Sequence, residues 1–245
     1  IIMNIIKDYL DFTIQKLQDV KQQEAENIEQ AAVYVAETCK KNGRFYVFGS
    51  GHSHMVAEDI YIRAGGLAYV KAILLPELML HEMPNKSTYL ERLEGYAESM
   101  LRLYKVGPDD TLMVISNSGR NSVPVEMCLE AKKIGARVIA ITSLQHAKQQ
   151  TSRHKSGKRI HEIADVVIDN HADKGDAAYY IPGFEVPTGP TSDTTGTAIA
   201  QSIIVKTIEN LVQSGCVPPV FKSSNLDGAD EYNDQLFDQY YGYFK

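Results

Sequence analysis

The chain is short of several things, and each shortage excludes something. Its 245 residues hold only three cysteines, Cys39, Cys128 and Cys216, odd in number and widely spaced. That pattern argues against a disulfide framework or a paired-cysteine metal site and predicts reduced, buried thiols. There is no basic block: 25 Lys and Arg stand against 31 Asp and Glu, for a net charge of -6. An acidic chain without a cationic tract is a poor partner for nucleic acid. No apolar run approaches the length of a membrane span and no secretory leader is visible, so no membrane partner is expected and the cytoplasm is the expected compartment. Internal repeats and low-complexity tracts are lacking too. What is present is ordinary for a globular protein, 44% hydrophobic and 23% charged, which is ample for a sizeable core. A phosphorylated metabolite stays admissible as a ligand, provided its site is locally positive.

Hydrophobic periodicity then orders the chain. Ile6, Leu10, Leu17, Ile28, Ala31 and Val35 recur at helical spacing, predicting one long helix from residue 3 to about 41, stopped by Asn42-Gly43. Buried strands are expected at 44–49, 67–75, 111–116, 137–142 and 166–169, with helices at 56–64, 87–105 and 123–135 between them. Strands alternating with helices at this spacing form βαβ units with right-handed crossovers and a parallel sheet. The fold class is therefore α/β, doubly wound and five-stranded, with a long N-terminal helix and a C-terminal arm. Residues 170–195 are rich in Gly, Pro, Asp and Thr and read as a long functional loop with a short hairpin around AAYYI. A helix follows at 196–215, and the tail starts extended and ends in a weakly helical aromatic segment. The expected divisions are 1–43 as the packing helix, 44–215 as the main domain and 216–245 as the arm.

Two loops stand out. The first strand runs into FGSGHSHMVAED and the third into ISNSGRNSVPVE. Both place glycines, serines and polar residues between a buried strand and a helix N-terminus. Main-chain N–H groups and the helix dipole make such a turn attractive to anions, glycine lets the backbone approach a ligand, and serine adds donors. Either loop alone is more often a capped turn. In a sheet of order 2-1-3-4-5, however, strands one and three flank the switch point where ligands bind. The two loops would face one another across a single crevice, which favours an anion site.

The stretches GSGHS (49–53), SNSG with the polar pair to 122, GARVIAIT (135–142) and HEIADVVID (161–169) together resemble the SIS (sugar isomerase) domain over roughly residues 44–215. The resemblance implies a flavodoxin-like five-stranded sheet and a bound phosphosugar. It implies phosphate ligands at Ser116, Ser118 and either Asn121 or Ser122, within a loop completed by Asn117 and Gly119. Ser50 and Ser53 would lie across the crevice, beside Gly49 and Gly51. Phosphoheptose isomerases carry a His and a Glu where this chain has Asp59 and Arg63, and a His where it has Glu209 after the retained Gln201. The zinc set of that group is thus largely replaced. N-acetylmuramic acid phosphate etherases carry an S-G-R-T loop similar to Ser118–Asn121, and use a glutamate whose gapless match falls near Glu91. The tail and the loop 169–177 fit neither and look like an uncharacterised bacterial branch.

Isomerisation of an aldose to a ketose needs a base to take a proton beside a carbonyl and an acid to protonate the oxygen. His52, inside the first loop, is the strongest candidate, followed by Glu91 and Glu58. Glu58 stands four residues after His54 and reads equally as half of a surface ion pair. Glu94 belongs to a charged helix face. A His–Glu metal site involving His52, His54 or His81 is a minor alternative, because no spacing specifies it, and no metal or cofactor is the expectation. The basic stretch 154–162 reads as a solvated loop with a minor alternative of closing over an anion. The expected function is a phosphosugar isomerase acting on a small molecule. The alternatives are an amino-sugar phosphate etherase, with Arg63 or Arg120 holding a carboxylate, and a non-catalytic sugar-phosphate sensor. The N-terminal helix and the aromatics Phe237, Tyr240, Tyr241, Tyr243 and Phe244 point to a homodimer.

Overall fold

The computed structural model describes residues 4–242; Tyr243 and Phe244 lie outside them. The N-terminal segment forms α1 (Ile5–Gln23) and α2 (Ala25–Lys40). The expected helix is present, but it breaks at Glu24, whose backbone sits at φ -112 and ψ 1. The cause is the Glu24 side chain, which is buried and turned toward the sheet. It accepts the Asp169 N–H at 3.2 Å and an Asn27 amide hydrogen at 2.8 Å.

The main domain follows as β1 (Phe45–Gly49), α3 (Ser53–Asp59), β2 (Val70–Ile73), α4 (Lys86–Leu90), α5 (Tyr96–Leu103) and β3 (Thr111–Ile115). It continues through α6 (Ser122–Ile134), β4 (Arg137–Thr142), α7 (Leu144–Ala147) and β5 (Val166–Asp169). The long loop carries the antiparallel pair β6 (Ala177–Tyr179) and β7 (Thr188–Pro190) and leads into α8 (Ser192–Gln213). The arm ends in α9 (Ala229–Tyr241). The five main strands are parallel in the order β2-β1-β3-β4-β5. Both faces of the sheet are covered, so β1 and β3 are buried throughout rather than alternating. On one face Val35, Val47, Ile115, Ile139 and Ile203 form a core with α2 and α8. On the other, Phe48, Leu101, Val114 and Met127 pack with α5 and α6.

Three expected elements are shortened or divided, each by contacts from elsewhere in the chain. The helix expected to run to residue 64 stops at Asp59, because Gly65, Gly66 and Ala68 hydrogen-bond to Pro219 and Phe221 of the arm. The strand expected at 67–75 narrows to Val70–Ile73, with Leu67 and Ala68 at its start paired to the arm instead. The helix expected at 87–105 divides between α4 and α5. Gly95 adopts φ +83 there and gives its N–H to both carboxylate oxygens of Glu126, at 2.7 and 2.9 Å.

The arm packs on its own domain. Tyr241 is 1% exposed, donates to the Val70 carbonyl at 2.5 Å and packs with Phe221, Leu236 and Ala68. Phe237 and Tyr240 join that cluster, so these tail aromatics are not the exposed surface that the dimer argument took them for. Among the described residues no helix is long and apolar enough to cross a membrane.

Candidate functional site

The two loops do face each other at the carboxyl ends of β1 and β3, and Glu91 joins them. Dividing the expected helix puts Glu91 at the C-terminus of α4, beside the start of α6. Its main-chain carbonyl accepts the Val123 N–H at 2.9 Å, capping α6 from outside. Its carboxylate accepts from Ser50 Oγ at 2.7 Å on one oxygen and from Asn121 Nδ2 at 2.6 Å on the other. Burial raises the Glu91 pKa above the usual carboxylate value, while the Ser50 hydrogen bond and the charges of Arg92 and Arg153 pull against it. A half-buried carboxyl shifted upward in this way, at the junction of two loops, is suited to exchanging a proton.

In the first loop, a side chain on Gly49 would meet the Ser53 carbonyl oxygen at 2.4 Å, so only glycine permits this turn into α3. Gly51 gives its N–H to the Leu78 carbonyl at 2.8 Å. His52 is exposed, and Ser53 opens α3 with its N–H on the Ser50 carbonyl at 3.2 Å. His54 is buried; its Nδ1 faces the Gly51 carbonyl, and its Nε2 lies 3.7 Å from Glu58. The structure therefore sets Glu58 beside His54, and the His81 ring lies 5.3 Å from that of His54.

In the second loop, Gly119 has φ +60 and gives its N–H to Ser116 Oγ at 3.2 Å. Asn117 is anchored by Asn170 Nδ2 at 3.1 Å on its side-chain oxygen and by the Ser143 N–H at 3.1 Å on its carbonyl. Ser118 is half-buried, and neither its hydroxyl nor its N–H has a partner among the described residues. Nor do the N–H groups of Arg120 and Asn121. Ser122, expected as a ligand, is fully buried and turned away, donating to the Arg153 carbonyl at 3.3 Å. Asn121 is taken up by Glu91 on one side and by Arg153 Nη1, at 2.9 Å, on the other. The donors left for an anion are thus Ser118, the Ser116 hydroxyl, whose oxygen is engaged only as an acceptor, and the main chain around them.

The stretch expected as a solvated basic loop is exposed at 155–158, and the residues at its two ends brace this cradle. Arg153 gives its N–H to the Arg120 carbonyl at 2.8 Å, and Ile160 gives its own to the Gly119 carbonyl at 3.0 Å. His154 is buried beside Glu126, and the Lys155 N–H reaches Glu94 at 2.8 Å. Burial and the neighbouring Arg120 and Arg92 hold Arg153 below the usual arginine value, with Glu91 opposing. Two guanidinium groups, Arg92 and Arg153, therefore act on the Glu91 carboxylate, and Arg120 adds its charge beside Arg153.

Asp193, in the first turn of α8, was not singled out in the sequence. Burial raises its pKa; the charge of Asp176 adds to the shift, and those of His52 and His54 oppose it. It stands within electrostatic reach of both histidines. Only its position at the end of the Gly- and Thr-rich loop could have flagged it. Asp176, at φ +71, supports that turn by accepting from the N–H groups of Thr191 and Ser192 at 3.1 and 2.9 Å.

The sequence pattern of the SIS domain matches residues 8–143, more than half of the chain. The chain belongs to the SIS domain family. It is 58% identical over 233 residues to a UPF0309 protein of Halalkalibacterium halodurans, spanning 95% of this chain and 96% of that one. It is 43% identical over 236 residues to a UPF0309 protein of Listeria monocytogenes, spanning 96% of both. Among solved structures, the phosphoheptose isomerase of Neisseria gonorrhoeae superposes with a TM-score of 0.55 at 16% identity, over 83% of this chain and 97% of that chain. The NanR protein of Vibrio vulnificus, solved in complex with ManNAc-6P, superposes with a TM-score of 0.53 at 14% identity, over 99% of this chain and 70% of that one. At such identities the likeness is one of fold alone.

Within this SIS domain, the positions matched to the phosphoheptose isomerase metal set are closed off. Arg63 pairs with Asp59, and Gln201 Nε2 donates to the other Asp59 oxygen at 2.7 Å. Asp59 thus has a cation and an amide already in place, and these residues do not fit a metal.

Proposed function

We propose that the crevice binds a phosphosugar and isomerises it between aldose and ketose. The observation that carries this reading is Glu91, an up-shifted carboxyl whose two oxygens span both crevice loops. The phosphate would rest on Ser118 and the main-chain N–H groups of Ser118, Arg120 and Asn121, with Arg92, Arg120 and Arg153 supplying positive charge. The carbonyl end of the sugar would then reach Glu91. A carboxylate offers about four lone-pair positions, so Glu91 can hold Ser50 and Asn121 and still accept a proton from carbon. His52, near Asp193 and open to solvent, would serve the sugar oxygen. Isomerases of this fold and the sugar-phosphate complex of NanR support the ligand class.

A sugar phosphate can be held without being turned over, so the test has to separate binding from turnover. A panel of phosphosugars followed by NMR does so. Interconversion of one aldose–ketose pair, lost in E91Q, is the expected result. Loss of a lactyl ether instead would support the etherase reading, and binding without change across the panel would support a sensor. A homo-oligomer is also part of this proposal, supported now by α1, where Ile6, Leu10 and Ile14 are 69%, 53% and 48% exposed along one stripe. Size-exclusion chromatography with light scattering checks it: a monomeric mass at micromolar concentration would refute it.

A further inference from the structure

Beside the crevice, two imidazoles and a carboxylate converge. His54 Nε2 lies 3.7 Å from Glu58 Oε2, and ligand atoms of His54, Glu58 and His81 all fall within 4.8 Å of one another. His54 is 3% exposed and its ring is fixed, because Nδ1 faces the Gly51 carbonyl, which can only accept. The proton therefore belongs on Nδ1, and the Nε2 lone pair points at a carboxylate oxygen. Two electron-rich atoms at that separation need positive charge between them. A proton would serve a simple His–Glu pair. A third donor stands there as well, since a His81 ring nitrogen lies within 4.8 Å of both of those ligand atoms.

We infer that His54, Glu58 and His81 bind a divalent transition-metal ion of the zinc class. Two imidazole nitrogens, one carboxylate oxygen and an open fourth position make up a donor set zinc favours in sites that also bind a substrate or water. Ligand atoms around tetrahedral zinc lie roughly 3.3–3.5 Å apart, given bonds near 2.0–2.2 Å. The observed spacing closes with small rotations of Glu58 and His81, both exposed. The Gly51 carbonyl supplies the outer-shell acceptor that usually orients a metal-binding histidine. Gly51 gives its own N–H to Leu78 and sits in the first crevice loop, so the ion would border the proposed sugar site. The set is distinct from Asp59, Arg63 and Gln201, which stand at the positions expected to bind metal in phosphoheptose isomerases and are satisfied among themselves.

The test needs no sugar, so its outcome is independent of the isomerase reading. Chelator-stripped full-length protein is titrated with Co2+ and read by visible d–d absorption, then with Zn2+. One equivalent of Co2+ should saturate an intense band, and one equivalent of Zn2+ should abolish it. H81A and E58Q, which alter exposed residues and whose folding is checked by circular dichroism, should each raise the half-saturating Co2+ concentration at least about tenfold, since even outer-shell partners carry that much. H154A, in the separate cluster of Glu94, Glu126 and His154, should leave the titration unchanged. No saturable band, a band unaffected in either H81A or E58Q, or a band lost in H154A would each overturn the assignment.

Discussion

Replacing Glu91 separates its structural role from its proposed chemical one. In E91Q the amide keeps the shape of the carboxyl. Its oxygen can still accept from Asn121 Nδ2, now 2.6 Å away, and its nitrogen can donate to Ser50 Oγ, which can reverse its role at 2.7 Å. The cost of losing two charge-assisted bonds is offset by no longer holding a partly desolvated charge. Stability should therefore change by less than about 1 kcal/mol. E91A strips both acceptors and leaves a hydroxyl and an amide without partners, at about 1–3 kcal/mol each, so about 2–6 kcal/mol in total. Turnover should behave otherwise: E91Q cannot take a proton from carbon and should lose about 10²–10⁴-fold, the usual worth of a general base. The assays are urea denaturation of both variants and NMR-monitored isomerisation by E91Q. If E91Q kept its turnover, or was destabilised as much as E91A, the reasoning about Glu91 would be wrong.

Three further outcomes follow from the same contacts. A methyl on Gly119 would take an L-residue to φ +60 and meet Ile160 Cγ1 at 3.0 Å and Thr142 Oγ1 at 3.2 Å, so G119A should lose about 2–3 kcal/mol and most sugar-phosphate affinity. N121D sets a second carboxylate against Glu91, which should cost on the order of 2–4 kcal/mol at pH 8. The pair binds a proton more tightly folded than unfolded, so this stability should return as the pH falls; a pH-independent loss in urea denaturation would contradict it. Lys71 is 6% exposed, and burial, helped by Arg44, lowers its pKa from 10.5 to about 7. Between those values the unfolded chain binds more protons, so stability rises with pH. Relative to K71M, the native protein should gain about 1–2 kcal/mol from pH 7 to 8.5, and parallel curves would refute the shift.

Much of the fold was legible because its signals are local. Strands buried on both faces read as apolar runs, and glycine- and serine-rich turns after β1 and β3 mark the crevice through the sheet order they share. What escaped depends on distant partners. The break at Glu24 needs the Asp169 N–H, and the division at Gly95 needs the Glu126 carboxylate, neither of which a periodicity can see. Asn121 looked like an irregular phosphate ligand until Glu91 and Arg153 were found on either side of it. The bracing role at the two ends of the basic stretch 154–162 was hidden because the bonds run to Arg120 and Gly119, some thirty to forty residues earlier in the chain. Asp193 carried no motif at all.

The central claim is that the loop from Ser116 to Asn121 holds the phosphate of a sugar. A crystal soaked with a sugar phosphate tests it most directly, because a cavity of about 340 Å³ that also offers basic side chains, Arg44, Lys71 and Lys105, lies at the opposite end of the sheet. Phosphate density within hydrogen-bonding distance of Ser118 Oγ and the Arg120 N–H, with the sugar carbonyl end toward Glu91, is the expected result. Density in the Arg44–Lys71–Lys105 cavity instead, with the crevice unchanged, would contradict the account.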